Sequence, residues 1–300
     1  MRILLWVPRL SIRLLSVALP VLLLVGVCEA NDSSTPEYVY WTGAATPGRL
    51  DYELAVVDAA LKRSVAAYGP YHLTLDQREM PSVRGRMALI KGDDIHFVAT
   101  TRQDYDPRQL IVVRHPIEGG LLGYRQLLIK AERLPEFANI TRPQQLQKLI
   151  AGQGRGWPDV DVYRANHFNV EEILTFEQLL PVLLSERIDY IPLGIDEIEP
   201  TLTRYGDKYP GMTKVPGLMI YYPMPVFLVV SARHPTLAAR LNAGLKVMTE
   251  DGSLQRLFMR YKGDTVATIK ATNPTLIMLR NPNLPPAYNL PPALLAHPEE

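Results

Sequence analysis

His234-Pro-Thr-Leu-Ala-Ala-Arg-Leu-Asn-Ala-Gly-Leu-Lys-Val-Met-Thr-Glu-Asp-Gly-Ser-Leu-Gln-Arg-Leu-Phe-Met-Arg-Tyr261 reads as two helices with one break. Pro235 falls in a first helical turn, where its missing N–H costs nothing. Leu237, Leu241, Leu245 and Met248 follow at spacings of four, four and three, which is one face of a helix. Asp251-Gly252 interrupts the pattern, and Ser253 is a favoured cap for a second helix running to Tyr261. A helix with one apolar face needs a layer to cover, and the segment just upstream supplies strand. Tyr221 to Val230 is β-rich, although Pro223 and Pro225 confine its start to an edge or a crossover.

The same alternation runs through the rest of the chain. Tyr38 to Thr42 reads as a strand, and Leu54, Val57, Leu61, Val65 and Tyr68 as a helix face stopped by Gly69 and Pro70. Tyr71 to Leu75 alternates as a strand. Ser82 opens a helix through Ile90 that ends at Gly92, and strands follow at 95–100 and 110–113. The pattern pauses at Gly119-Gly120-Leu-Leu-Gly123, which is either a crossover between two lobes or an ordinary loop. A second unit then offers a strand at 127–130, a helix at 143–150 and a glycine-rich turn at 152–156. Trp157-Pro158-Asp159 opens a further helix. Phe176 to Leu184 is an amphipathic helix, and Asp189 to Leu193 is a strand leading through Gly194-Ile195-Asp196-Glu197 into another helix. Strands alternating with helices imply a parallel sheet sandwiched between helices.

The two ends differ from this. Arg2, Arg9 and Arg13 precede an apolar run at 14–27, and Cys28-Glu29-Ala30 offers small residues at the positions a signal peptidase reads. The run spans about fourteen residues, short of the roughly 20 that a spanning helix needs. Residues 1–30 are therefore expected to be a cleaved secretory signal, with a periplasmic product. Lipid attachment at Cys28 is disfavoured because Val27 stands where Gly or Ala is usual. Removal of the signal leaves no cysteine, hence no disulfide and no thiol chemistry. At the other end seven prolines lie between Pro274 and Pro298, and 266–300 is expected to be an extended, proline-rich tail. The whole chain carries 32 basic and 31 acidic residues, so nothing in its charge points to nucleic acid or an anionic membrane.

The 234–261 helices resemble the closing helices of type II periplasmic solute-binding proteins, the family that includes receptors of polar amino-acid ABC transporters. Two more segments agree in order. Asp106-Pro107-Arg108 before Leu110 to Val113 is similar to the stretch where the family holds a ligand-gripping arginine. Leu184 to Asp196 is similar to the stretch that ends in a ligand-facing aspartate. The resemblance implies two α/β lobes, each a mixed sheet flanked by helices, joined by two crossover segments with the ligand cleft between them. Lobe 1 would comprise 31–119 and 220–265, and lobe 2 would comprise 120–219. The sequence departs from the family at Gly154-Arg155-Gly156-Trp157, where a ligand-binding Thr or Ser is usual, and at Trp41-Thr42-Gly43, where an aromatic pair and an acid are usual.

Candidate ligand-binding residues follow from both readings. The resemblance gives Arg108 as a bidentate partner for a carboxylate; an ordinary surface arginine is the competing reading. Arg102 competes for the role, because Thr100-Thr101-Arg102 ends a strand, where α/β sites concentrate. Thr100 and Thr101 are hydrogen-bond donors or simply β-branched strand residues. The resemblance gives Asp196 as an acceptor for an ammonium, against a helix cap, with Glu197 the weaker candidate. Arg155 and Trp157 face the cleft, or Trp157 packs under its turn; Trp41 carries the same ambiguity.

No His-Glu-x-x-His, Gly-x-Ser-x-Gly or Lys-Ser/Thr phosphate loop is present. No catalytic residue, metal or cofactor is assigned. The expectation is a monomeric receptor that closes on a small polar solute, an amino acid or similar, for a membrane transporter or sensor. The alternatives are a ligand-less interaction module acting on an envelope or sensor partner, and a dehydratase-like enzyme.

Overall fold

The computed structural model describes residues 35–43 and 49–284. The expected signal peptide lies outside them. The first half of the described chain is β1 (Glu37–Trp41), α1 (Leu50–Arg63), α2 (Val65–Tyr68), β2 (His72–Asp76), α3 (Ser82–Lys91), β3 (Phe97–Thr100) and β4 (Leu110–Val113). After a single 3₁₀ turn at Leu121–Gly123 come β5 (Tyr124–Lys130), α4 (Leu134–Phe137), α5 (Pro143–Leu146), β6 (Ile150–Gly154), α6 (Asp159–Ala165), β7 (Asn169–Ile173), α7 (Phe176–Leu184), β8 (Ile191–Gly194), α8 (Ile198–Tyr205) and β9 (Met212–Tyr221). The chain closes with β10 (Phe227–Ser231), α9 (Pro235–Glu250), α10 (Ser253–Thr272) and β11 (Thr275–Met278).

Two mixed sheets result. One has the order β2-β1-β3-β10-β4, in which β10 runs antiparallel to both neighbours. The other has the order β11-β9-β5-β8, and the parallel pair β6-β7 joins it through a bridge between Ala151 and Tyr190. The α9 face read from the sequence is the one that packs. Leu237, Leu241, Leu245 and Met248 are all buried, and α1 lies against them through Val56, Val57, Ala60 and Leu61. Each of these Val, Leu and Met side chains contributes about 1.5–3 kcal/mol of burial.

The chain crosses between the sheets first at 114–123 and again at 222–226. The two crossings lie side by side: Ile117 donates its N–H to the Val226 carbonyl at 2.9 Å, and Tyr222 donates to Gly123 at 3.2 Å. Gly119 and Gly120 adopt φ of 55° and 80° here, a backbone that other residues rarely take. The glycine pause is thus a crossover, and Pro223 and Pro225 lie in the return crossing, where no ladder N–H is needed. Strand β9 stays with the second sheet to Tyr221, so the second boundary falls past 220.

Three expectations are corrected. The glycine stretch 152–156 is largely strand β6, with only Arg155 and Gly156 in the turn; Gly152 and Gly154 are there because Ile188 and Trp157 occupy the space of their missing side chains. The helix expected over 143–150 ends at Leu146, and Ile150 already belongs to β6. The tail does not begin at 266. Helix α10 continues to Thr272, because Phe258, Lys262, Val266 and Ile269 keep one buried face, and β11 then pairs in parallel with β9. Beyond it, Leu279 donates to the Tyr221 carbonyl and the Asn281 amide to Pro223. Residues 285–300 lie outside the described part. Among the described residues no helix is long and apolar enough to cross a membrane.

Candidate functional site

A cleft of about 180 Å³ lies between the two sheets, lined from both sides. From the first come Trp41, Arg49, Arg86, Thr100, Thr101, Arg102 and Tyr105; from the second come Arg125, Trp157, Asp159 and Glu197. At the mouth the two sides meet. A Cβ on Gly156 would touch Val83 at 3.5 Å, and Arg204 of α8 stands 3.6 Å from Glu79 beside α3.

The walls are two tryptophans, each seated on a glycine. Trp41, at the end of β1, donates its indole N–H to the Arg78 carbonyl at 2.9 Å and lies across Gly85 of α3, whose Cβ would stand 2.8 Å from the indole Cζ2. Trp157 covers Gly154 in the same way and stacks on Phe176 at 6.4 Å between centroids. Neither glycine accepts a side chain without moving its indole.

The floor is a chain of charges. Arg49, just before α1, pairs with Glu53 one turn later at 2.5 Å and approaches Glu197 at 3.7 Å. Arg125 projects from β5 to Asp159 at 2.9 Å and Glu197 at 3.6 Å, with its guanidinium over the Tyr222 ring. Tyr222 donates its hydroxyl to Asp159 at 2.6 Å, and Glu197 accepts the Gly194 N–H at 2.8 Å. Asp159 also stands in the first turn of α6, where a negative charge complements the helix dipole. Each of the two carboxylates at the cleft therefore already faces a guanidinium.

Behind the floor, Lys262 of α10 donates to Asp196 at 2.5 Å, with both side chains buried. Glu118, in the first crossing, is 1% exposed. Burial, reinforced by Asp196, pushes its carboxyl up to about 8. Asp196 is also raised, chiefly by burial.

Of the residues expected from sequence, Trp41, Thr100, Thr101, Arg102 and Trp157 line the cleft. Three do not. Arg108 has an 88% exposed side chain that pairs with Asp106 at 2.7 Å, since the Asp106-Pro107-Arg108 turn folds the guanidinium back on its own loop. Arg155 is exposed and does not line the cleft. Asp196 is consumed by Lys262 below the cleft and does not cap α8; Glu197 precedes that helix and faces the cleft instead. Sequence reading missed Arg49, Arg86, Tyr105 and Arg125. Two signals were available: an arginine with Glu four residues on at a helix start, and a charge inside the apolar strand 124–130. Among the described residues no group of three His, Cys, Asp or Glu could hold a metal ion.

No family model matches the chain, and no curated protein matches it. Solved structures do. An ancestral arginine-binding protein bound to arginine aligns over 75% of this chain and 97% of its own, with a TM-score of 0.54 at 14% identity. An arginine transport-system periplasmic binding protein from Legionella pneumophila aligns over 76% and 100%, with a TM-score of 0.56 at 13% identity. The arginine-, lysine- and histidine-binding protein ArtJ from Geobacillus stearothermophilus aligns over 76% and 95%, with a TM-score of 0.52 at 11% identity. The fold is thus that of the two-lobed type II periplasmic binding proteins.

Proposed function

We propose that this chain is an extracytoplasmic receptor that closes its two lobes on a small solute and presents the closed form to a membrane transporter or sensor. The observation that carries the proposal is the cleft itself, lined by tryptophan, arginine and threonine side chains from both lobes. The two adjacent crossings provide a hinge, and a solute that touches both lobes would shift an open–closed equilibrium by its preference for the closed form. The neighbours in fold are solute-binding proteins, which supports binding over catalysis. So does the floor: Asp159 and Glu197, the two carboxylates lining the cleft, are engaged by Arg125 and Arg49. The leading segment 1–30 supports export.

The test is a thermal-shift screen of the purified protein against amino acids, organic acids and short peptides. A true ligand at a hundredfold excess over its Kd adds about 2.7 kcal/mol of stability. A stabilising compound whose effect disappears when Arg102 is changed to Gln supports the cleft as its site. Silence across the library argues against a receptor.

One observation favours a second reading. Arg49 with Glu197 and Lys262 with Asp196 bridge the two halves through the protein's own charges. An interaction module held closed by its own charges would show the same. Small-angle scattering separates the two: a receptor compacts on adding its solute, and a self-closed module does not change.

A further inference from the structure

We infer that the solute is a compact organic anion without an ammonium group, its anionic end held by Arg86 and Arg102. The inference rests on the receptor reading and narrows it.

The argument is a comparison of committed and uncommitted charge around the cleft. Four arginines line it against two carboxylates, Asp159 and Glu197. Asp159 takes a hydrogen bond from Tyr222 and an ion pair from Arg125. Glu197 takes the Gly194 N–H and stands within 3.7 Å of both Arg49 and Arg125. An ammonium approaching either acid would come within a few ångström of a fixed guanidinium, in a site where like charges are weakly screened. Amino-acid recognition needs an acid free to accept that ammonium, and the residue expected for it, Asp196, is bound to Lys262 below the floor.

The positive side is different. Among the described residues Arg86 has no ion-pair partner, and Arg102 pairs only with Asp104, whose side chain is 60% exposed, at 3.1 Å. Burial raises the pKa of the Tyr105 hydroxyl, and Thr100, Arg102 and Arg86, which line the same cleft, oppose that shift. Arg86, Arg102 and Tyr105 line one cleft whose walls are set by Trp41 and Trp157, which makes a cationic pocket with flat apolar sides. A guanidinium pair fits a carboxylate through several charge-assisted bonds. The cleft volume of about 180 Å³ is below the range of sites for drug-sized ligands, so the anion is small.

The test is calorimetric titration of the purified protein with pairs matched in carbon skeleton: propionate with alanine, succinate with aspartate, and 3-phenylpropionate with phenylalanine. The expected result is that at least one anion binds and that its α-amino partner binds at least about tenfold more weakly, the loss set by one unfavourable charge contact. Arg86→Gln and Arg102→Gln should each weaken that anion by about tenfold or more, with unchanged melting of the free protein. Equal or tighter binding of the amino acids overturns the inference and leaves the receptor reading standing. Loss of affinity in neither variant also overturns it, because the anion would then sit elsewhere. If no member of either class binds, the inference and the receptor reading fall together.

Discussion

Gly244→Ala tests the packing of the first lobe with a single methyl group. Gly244 lies in the middle of α9, where α1 crosses it. A Cβ there would stand 2.7 Å from the carbonyl carbon of Ala60 and 2.9 Å from its Cα, and it would also meet the Ala60 carbonyl oxygen. These are backbone atoms within a helix, so no rotamer change relieves the contact and the two helices must part. Separation loosens Val56, Val57, Ala60 and Leu61 against Leu241, Leu245 and Met248, all buried. A gap of 0.5–1 Å forfeits about a quarter to a half of each contact's attraction, and overpacked cores lose about 1–3 kcal/mol or more. Helix propensity acts the other way, favouring Ala by about 1 kcal/mol.

The clash should win, with a net loss of about 2 kcal/mol and a fall in Tm of roughly 4–8 °C for a chain of this size. Gly263→Ala is the control. It is the same substitution in the next helix, but its Cβ meets only the flexible end of Met259 at 3.6 Å. That variant should be neutral or more stable by up to about 1 kcal/mol. Urea denaturation of both variants decides the matter. If Gly244→Ala is as stable as Gly263→Ala, the close crossing of α1 and α9 is wrong.

Other outcomes follow from particular groups. Glu118 has its carboxyl raised from 4.5 to about 8, so the folded state holds a proton that the unfolded chain gives up. Its contribution is present below the unfolded value and is lost as pH rises from about 4.5 through 8. Glu118→Gln should therefore gain stability relative to the parent between pH 5 and 8.5, and parallel pH profiles would contradict this. His96 accepts the Val39 N–H, and its ring lies 3.9 Å from that of His234. Burial first, then His234, lowers its pKa, while Glu37 and the Asp93 backbone oppose the shift. That stability is present above the unfolded value near 6.5 and lost as pH falls below it. His96→Gln should flatten the decline in urea midpoint between pH 7.5 and 5. Ile277 is buried in β11. Ile277→Ala should cost about 2–4 kcal/mol; an unaffected midpoint would mean that β11 adds nothing to the fold.

How much of this was legible in the sequence depends on the range of the interaction responsible. The α9 face and the strand runs at 95–100 and 110–113 follow from local spacing and could be read directly, whereas the glycines at 119–123 left a crossover and an ordinary loop equally open. Gly263 and Pro274 carried a local signal for irregular chain, and over 266–278 it misled. Burial of Val266 and Ile269 outweighs one helical glycine, and strand β9 gives 275–278 an edge to join. Single-chain periodicity contains neither fact.

The site divides in the same way. Trp41, Thr100 to Arg102 and Trp157 were reachable because they end strands or open turns, where this architecture gathers ligands. Arg108 and Asp196 have the right local setting, yet neither faces the cleft: the nearest opposite charge decides where a flexible charged side chain lies. For Arg108 that charge is two residues away, and for Asp196 it is on α10, sixty-six residues further along the chain. The sequence by itself determined the alternation of elements, the helical pair that closes the chain and the places where the backbone could cross. Only the tertiary structure decided which charges meet, because ion pairing depends on distances across elements that local spacing does not encode. Arg49, Arg125, Asp159 and Glu197 became one floor when two lobes brought them within 4 Å.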